Sequence, residues 1–484
     1  MLMIRRSYLT SRLPKLKLPL DDNTSIGKFL RQTKRSCPRR NQILGEEFCR
    51  FAIRLKVYTT ADNHERSDKK RLHEMCQEVA TKLDLIDPQP NESSHIKLPS
   101  TGQFLTESIS RSLGKWKQNA HQEIWSLYKN TPQSSDDFIV ERVRGINYSL
   151  IGWYLQTYGM QNALAFIDWL GVPLISDTGT YCWPQPKSPL LVENSVETQR
   201  RLNEILDGYD AIEKKLQYKF QDKAYLLQSV SHESFTTNEL TPNYVGLDFV
   251  GDAITNYAIT RHLFRQLQFL DATDLENACQ LLYSNSCFAT VSVRNEFHKF
   301  LRYTHPEIRN NINSFVAFLR ANRFKPVNDL HFLDRKNFIF EVPPIIPGSF
   351  EALIAAVYFD SNMDINVVSN TLLNLMQWDL KVICGTKPKT AYVELEQLDP
   401  TATFSKPITM GPGKVQVTVT LPKYQNKRFN AVSRDPQLAK WGAAKTAVIQ
   451  LKKQSNVFIP VTHNELYQHF KNKQQIGIKY NKVE

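Results

Sequence analysis

Apolar positions along the chain change period twice. Ile146–Leu170 (INYSLIGWYLQTYGMQNALAFIDWL) carries them at helical spacing, long enough for a pair of helices, and Phe350–Leu375 (FEALIAAVYFDSNMDINVVSNTLLNL) repeats that character. Between the two blocks, the Pro-rich stretch from Val172 to about Val196 lacks sustained periodicity and is expected to be a linker. From Lys387 the pattern shortens. Lys389–Leu398 suits a helix, Thr403–Pro407 and Val415–Leu421 alternate as strands, and Arg428–Val432 fits a third strand. Pro436–Leu451 is again helical, so the order is α-β-β-β-α, followed from Ser455 by a basic tail.

Composition narrows what such a chain can be. At 484 residues it exceeds what one core usually fills, so two or three domains are expected. It is 41% apolar and 11% aromatic, enough to fill those cores. No apolar run approaches the roughly 20 residues of a membrane-spanning helix. The net charge is +13, and from Gly385 to Glu484 there are 16 Lys/Arg against 6 Asp/Glu, so about +10 of the excess is in the last hundred residues. Concentrated basic charge favours a polyanionic partner, because each cation placed at a phosphate releases condensed counterions. The 7 cysteines are odd in number and scattered, with no C-x-x-C pair, which reads as free thiols without a zinc site or disulfide framework. The opening MLMIRRSYLTSRLPKLKLPL suits a mitochondrial presequence and equally the edge of a first domain.

Candidate chemistry centres on LDFVGDAI, Leu247–Ile254. On a helix, Asp248 and Asp252 project from one face at i and i+4. A second predicted helix, GSFEALIAAVYFDS, carries Glu351. Three carboxylates from two helices suit Mg²⁺, which takes a few carboxylate oxygens and keeps several waters, and which can activate water for phosphodiester hydrolysis. Two acids on one helix are also the ordinary composition of a solvated face.

The run Glu213–Phe235 (EKKLQYKFQDKAYLLQSVSHESF), then LDFVGDAI, then FEALIAAVYFDS, resembles the second ribonuclease III domain of Dicer proteins. That family carries Glu and Asp four apart in its signature helix, then Asp and Glu three apart in a later one. The resemblance implies that Asp248 stands in the Glu place, Asp252 in the Asp place, Gly348 in the later Asp place and Glu351 in the final Glu place. Asp for Glu withdraws a carboxylate by one methylene, and small misplacements of catalytic groups are costly. Gly348 offers no side-chain oxygen at all. Metal ligation and catalysis would fall to Asp248, Asp252 and Glu351, with Mg²⁺ or Mn²⁺ as cofactor if the site is active. His232 in SHESF reads as a structural loop residue. Glu276, after TDL, stands where the family has a basic residue.

A fainter copy lies upstream. In NQILGEEFCRFAI, Gln42 and Glu46 stand four apart around Gly45, as Asp248 and Asp252 do around Gly251. In RGINYSLIGWYL, Gly145 and Tyr148 stand three apart, as Gly348 and Glu351 do, and the separations agree at 106 (42 to 148) and 103 (248 to 351). Gln42, Gly145 and Tyr148 replace three of four acids and leave only Glu46, so this first site is expected to be dead. In the family such domains pair to form one groove across duplex RNA, and an apolar pairing face can persist without the acids; Phe249 and Val250 are expected to belong to the core or to that face. The assignment requires Gly145 and Gly348 to lie close to the acid-bearing helices.

The α-β-β-β-α block resembles a double-stranded-RNA-binding domain, which reads A-form shape through the minor groove and phosphates. RDPQLAKWGAAKTAV keeps Lys440, Ala443 and Ala444 of the family's final helix, while Pro436 and Gln437 occupy the first two lysine positions. The loop Met410–Lys414 is positioned to enter a minor groove. Lys414, Lys440 and Lys445 are the candidate contacts, with Lys427, Arg428 and Arg434 as compensation.

The expected architecture is therefore mainly α. It comprises a basic leader (1–20), a degenerate first ribonuclease III-like domain (21–172), a linker (173–204), a second such domain (205–384), a double-stranded-RNA-binding domain (385–455) and a basic tail (456–484). The two ribonuclease III-like domains are expected to form an intramolecular pseudo-dimer. Three functional readings stay open. The first is a Dicer-related RNA-binding protein of small-RNA silencing with impaired or absent cleavage. The second is a metal-dependent endonuclease cutting or nicking duplex RNA, and the third a mitochondrial large-subunit ribosomal protein. Implied partners are double-stranded RNA and a complete Dicer or silencing-complex proteins, with no membrane. The expected location is cytoplasmic, with mitochondrial as the alternative.

Overall fold

The computed structural model describes residues 39–80, 136–169, 187–321 apart from 269, 342–386 and 391–454 apart from 412, 434 and 435, with 172, 174, 183 and 324 between them. The leader, the tail and Arg434 lie outside these described residues. Two compact units divide the chain, one reaching to Pro388 and one running from Lys389.

In the first unit, α1 (Arg39–Thr60), α2 (Asn63–Arg66), α3 (Lys69–Ala80) and α4 (Asp136–Trp169) precede the linker region. After it come α5 (Val196–Ile205), α6 (Asp210–Leu216), α7 (Lys223–Val230), α8 (Val245–Gln266), α9 (Ala272–Leu282) and α10 (Asn285–Arg294). The last four are α11 (Pro306–Ala321), α12 (Ile345–Asp360), α13 (Ile365–Leu375) and α14 (Gln377–Thr386). Local chemistry starts many of them, since side-chain oxygens satisfy otherwise orphaned first-turn N–H groups. Ser195, Asp222, Asp271, Ser284 and Asp364 cap α5, α7, α9, α10 and α13 in this way. Asp62 and Glu65 form a reciprocal capping box on α2. α5 begins inside the stretch expected to be linker, because Ser195 caps it and Leu202 is buried. α4 turns sharply at Gly159, whose φ of 82° breaks one apolar run into two helices. No described helix is long and apolar enough to cross a membrane.

The core forms around two matching helix pairs. α1 packs on α4, α8 packs on α12, and α1 and α8 pack on each other. The contact between α1 and α8 is aromatic. Phe51 stacks on Tyr257 at 4.9 Å between centroids, Phe48 tilts against the same ring at 5.3 Å, and Phe51 meets Tyr358 edge-on. Phe48, Phe51, Tyr257 and Phe249 are all essentially inaccessible to solvent. Phe249 faces the first copy, beneath the Arg54 guanidinium and edge-on to His73.

Within each pair a glycine permits close approach. A Cβ on Gly45 would lie 1.9 Å from the Tyr148 carbonyl oxygen, and one on Gly251 would lie 2.2 Å from that of Glu351. The two glycines thus touch residues that the sequence repeat makes equivalent. Gly145 lies against Gln42, with 3.3 Å from a hypothetical Cβ to Oε1, and Gly348 lies against Asp248, at 3.4 Å to Oδ1. Both acid-less positions face the signature helices, as the repeat requires.

The second unit holds α15 (Ala391–Leu398), β1 (Thr403–Phe404), β2 (Ile408–Gly411), β3 (Lys414–Leu421), β4 (Lys427–Ser433) and α16 (Pro436–Gln454). β3 is central and antiparallel to all three other strands. Val417, Val419, Leu421 and Ala431 are buried on the face that meets α16, where Ala439, Ala443, Ala444, Ala447 and Val448 are also buried. Small residues on the helix let it lie close to the sheet. This is the α-β-β-β-α order expected, with the first strand split into β1 and β2 around Pro407.

Candidate functional site

The carboxylates of α8 and α12 converge as their spacing demands. Asp248 and Glu351 are both only 6% exposed. Their side chains hydrogen-bond to each other, and burial together with the nearby Asp252 and Asp248 charges pushes the Glu351 carboxyl well above the usual range.

The remaining two carboxylates already hold cations, and both cations come from the first copy. Lys69 at the start of α3 places Nζ 2.7 Å from Asp248 Oδ2. Arg54 on α1 donates to Asp252 Oδ2 and, at 3.0 Å, to the Phe249 carbonyl, while its guanidinium covers the Phe249 ring. The other Asp252 oxygen accepts from Asn256 Nδ2 at 3.0 Å. Burial raises the Asp252 pKa, but Arg54, Arg50 and Lys69 outweigh it and hold the carboxyl below its ordinary value. Burial likewise lowers the Lys69 pKa, yet Asp248, Glu351 and Asp252 outweigh it and the ammonium is raised. Each aspartate of α8 is thus paired with a cation of the first copy.

These residues do not fit a divalent ion. Mg²⁺ needs several oxygens at about 2.1 Å in near-octahedral geometry. Here one acid position is Gly348, burial beside two other carboxylates pushes the Glu351 carboxyl well above its usual range, and the other two carboxylates are engaged by Lys69 and Arg54. Among the described residues no three His, Cys, Asp or Glu side chains form a metal-holding group. The first copy is poorer still. Gln42, Gly145 and Tyr148 hold three of its four positions, and the fourth, Glu46, has its carboxylate 3.6 Å from Arg50.

In the second unit the candidate RNA contacts separate. Lys414 opens β3 opposite Gly411, and Val415 pairs with Ser433, just before α16. Lys427 and Arg428 pair with Leu421 and Thr420 at the other end of β3. At roughly 3.3 Å per residue the two ends are on the order of 20 Å apart. Lys427 and Arg428 are therefore not placed to replace lysines missing from the first turn of α16, where Pro436, Gln437 and Leu438 are exposed. Lys440 leans over the rings of Phe404 and Tyr392, at 5.0 and 5.9 Å, and Lys445 is half-buried on the same helix.

Comparison with known families matches residues 246–362 to the Ribonuclease III domain and residues 370–457 to the Dicer dsRNA-binding domain. The chain carries a ribonuclease III domain and a Dicer-type double-stranded-RNA-binding domain. Endoribonuclease Dcr-1 of Drosophila melanogaster is 35% identical over 341 residues, covering 63% of this chain and 15% of that one. Endoribonuclease Dicer of Danio rerio is 32% identical over 322 residues, covering 63% and 17%. The chain thus spans about one sixth of the length of these relatives. The nuclease domain of ribonuclease III from Campylobacter jejuni covers 36% of this chain and 98% of its own at 20% identity and a TM-score of 0.27, too loose a superposition to add to the sequence matches.

The ribonuclease III match contains Asp248, Asp252, Gly348 and Glu351, and hence the whole converging set. Sequence reasoning did not find Arg54 and Lys69. Their partners are 198 and 179 residues away, and no local pattern marks a basic residue on one helix as the counter-charge of an acid on another. Glu276 has a comparable role, since it pairs with Arg39 of α1 at 2.6 Å. The unexpected acid of the second copy thus meets an arginine of the first. His232 accepts from the Ser234 backbone N–H at 3.0 Å and is held in its loop as a structural residue.

Proposed function

We propose that this chain is a Dicer-related protein of small-RNA silencing that binds double-stranded RNA and has lost most or all ribonuclease III cleavage. The observation that carries the reading is the state of the second carboxylate set. Gly348 faces Asp248 where the family has an acid, and the Asp248 and Asp252 carboxylates are paired with Lys69 and Arg54. Ribonuclease III enzymes are generally divalent-metal dependent, so Mg²⁺ or Mn²⁺ is the cofactor that cleavage here would need. Duplex RNA is the partner that the second unit supports, and a complete Dicer or another silencing protein would supply the cutting.

Incubating the chain with end-labelled duplex RNA and Mg²⁺ or Mn²⁺ is expected to give a retarded complex and little or no product. Product that disappears in Glu351→Ala would instead establish the endonuclease reading, with Asp248, Asp252 and Glu351 as its residues. Co-sedimentation with mitochondrial ribosomes would favour the ribosomal one.

The geometry of the second unit separates its lysines. Lys414→Ala is expected to weaken duplex binding across sequences and to reduce the salt slope by about one, as for any single phosphate contact. Lys427→Ala, at the far end of the sheet, should leave both nearly unchanged. Titrations at several salt concentrations with two unrelated duplexes check this, and equal effects from both variants would show that the two ends share one RNA surface.

A further inference from the structure

The position of the two cations has a meaning apart from lost cleavage. Each comes from the first copy and ends on a carboxylate of the second. Arg54 is fixed by three partners at once, the Asp252 carboxylate, the Phe249 carbonyl and the Phe249 ring, and its side chain is only 11% exposed. The Lys69 side chain is half-exposed but ends on the buried Asp248. An ammonium or guanidinium bonded to a carboxylate oxygen uses the lone pair that a metal would use. It also brings a positive charge that repels an approaching ion. Gly348 offers no side-chain oxygen to help a metal displace these cations. Pairing these acids with protein cations also answers a need of the fold, because like carboxylates buried side by side are costly unless paired.

We propose that Lys69 and Arg54 are the resident counter-cations of the Asp248–Asp252–Glu351 pocket, and that this pocket fastens the two ribonuclease III-like halves to each other without divalent metal. The inference rests on the reading that the centre is no longer a working metal site, and it assigns the retained acids a different use. Asp248 and Asp252 persist as the receiving half of an ionic joint, and Phe249 between them is its apolar floor. Arg39 on Glu276, and Arg40 on the carbonyls of Phe264, Leu267 and Leu270, extend the same pattern along α1. The first copy therefore touches the second through cations at both ends of α8, with the aromatic contact between them.

The test uses the full chain, with Mn²⁺ alone as probe and two readouts other than RNA cleavage. Thermal unfolding of the unsubstituted chain is expected to have the same midpoint in EDTA, Mg²⁺ and Mn²⁺. Its titration into Mn²⁺, followed by the free-ion paramagnetic resonance signal, should show no site that depends on Asp252. Lys69→Met and Asp248→Asn should each lower the midpoint in EDTA, and the double variant should lose no more than the worse single one, because the two groups act as a pair. Mn²⁺ bound by the unsubstituted chain and released in Asp252→Asn would overturn the inference, as would strictly additive losses for Lys69→Met and Asp248→Asn. The two readings fail separately. A chain that binds Mn²⁺ in this pocket but leaves duplex RNA intact sinks the joint and spares the proposed function. A chain that cuts RNA while binding no Mn²⁺ there does the reverse.

Discussion

Gly251→Ala is expected to destabilise the ribonuclease III unit by about 3 kcal/mol, the upper end of what overpacking in a core usually costs. The added methyl would lie 2.2 Å from the Glu351 carbonyl oxygen and 2.6 Å from its carbon. That neighbour is main chain in the middle of α12, so no side-chain rotation relieves the clash and α8 must move off α12 as a body. Separation would also disturb Asp248 and Glu351, which the close approach brings together. Gly45→Ala should act in the same way on the first copy, because its methyl would meet the Tyr148 carbonyl oxygen at 1.9 Å and the Gly152 nitrogen at 2.6 Å. Urea denaturation of the two variants measures both effects. A loss below about 0.5 kcal/mol, the scale of an ordinary surface substitution, in either one would show that the helices of that copy are not in intimate contact. The repeat would then be a resemblance of sequence only.

Those glycines also show what the sequence discloses and what it withholds. The spacing of Gly45 and Gly251 between polar positions four apart is local, and the repeat it marks placed Gly145 and Gly348 beside the signature helices, where they lie. The α-β-β-β-α order was likewise legible from the change of period after Lys387. The first strand is shorter than its alternation suggests. Main-chain bonding to β3 runs to Ser405, whose N–H donates to the Thr418 carbonyl at 2.8 Å, and strand pairing resumes at Ile408, past Pro407, which has no N–H to donate. The linker overran for a similar reason. Its Pro-rich composition hides the cap signal of Ser195, which begins α5 at Val196. Non-local charge pairing was not legible at all. Arg54 and Lys69 look like ordinary solvated positions on amphipathic helices until α1 and α3 are placed beside α8. Lys427 and Arg428 were legible as cations, but not as cations at the wrong end of a sheet, since the register that separates them from α16 is a tertiary fact.

Arg294→Met is expected to cost about 3–5 kcal/mol, the range for removing one partner of a buried ion pair. Arg294 ends α10 and donates both guanidinium nitrogens to Asp379 of α14, which is fully buried, and its guanidinium also covers the Trp378 ring at 5.0 Å. Methionine keeps much of the stem's packing, so the loss reports on the charge left behind. Burial raises the Asp379 pKa even with Arg294 in place, its two hydrogen bonds only partly opposing that. Without the arginine the carboxyl rises further and takes up a proton on folding. The folded chain then binds more protons than the unfolded one at every pH between the ordinary aspartate pKa of about 3.9 and the raised value. Stability must therefore fall as pH rises through that window, and the gap between variant and parent should be wider at pH 8 than at pH 5. Asp379→Asn in the same background removes the buried charge and should abolish that pH dependence. If the Arg294→Met loss is the same at both pH values, Asp379 stays ionised without its partner, and some other cation or water must reach the space between α10 and α14.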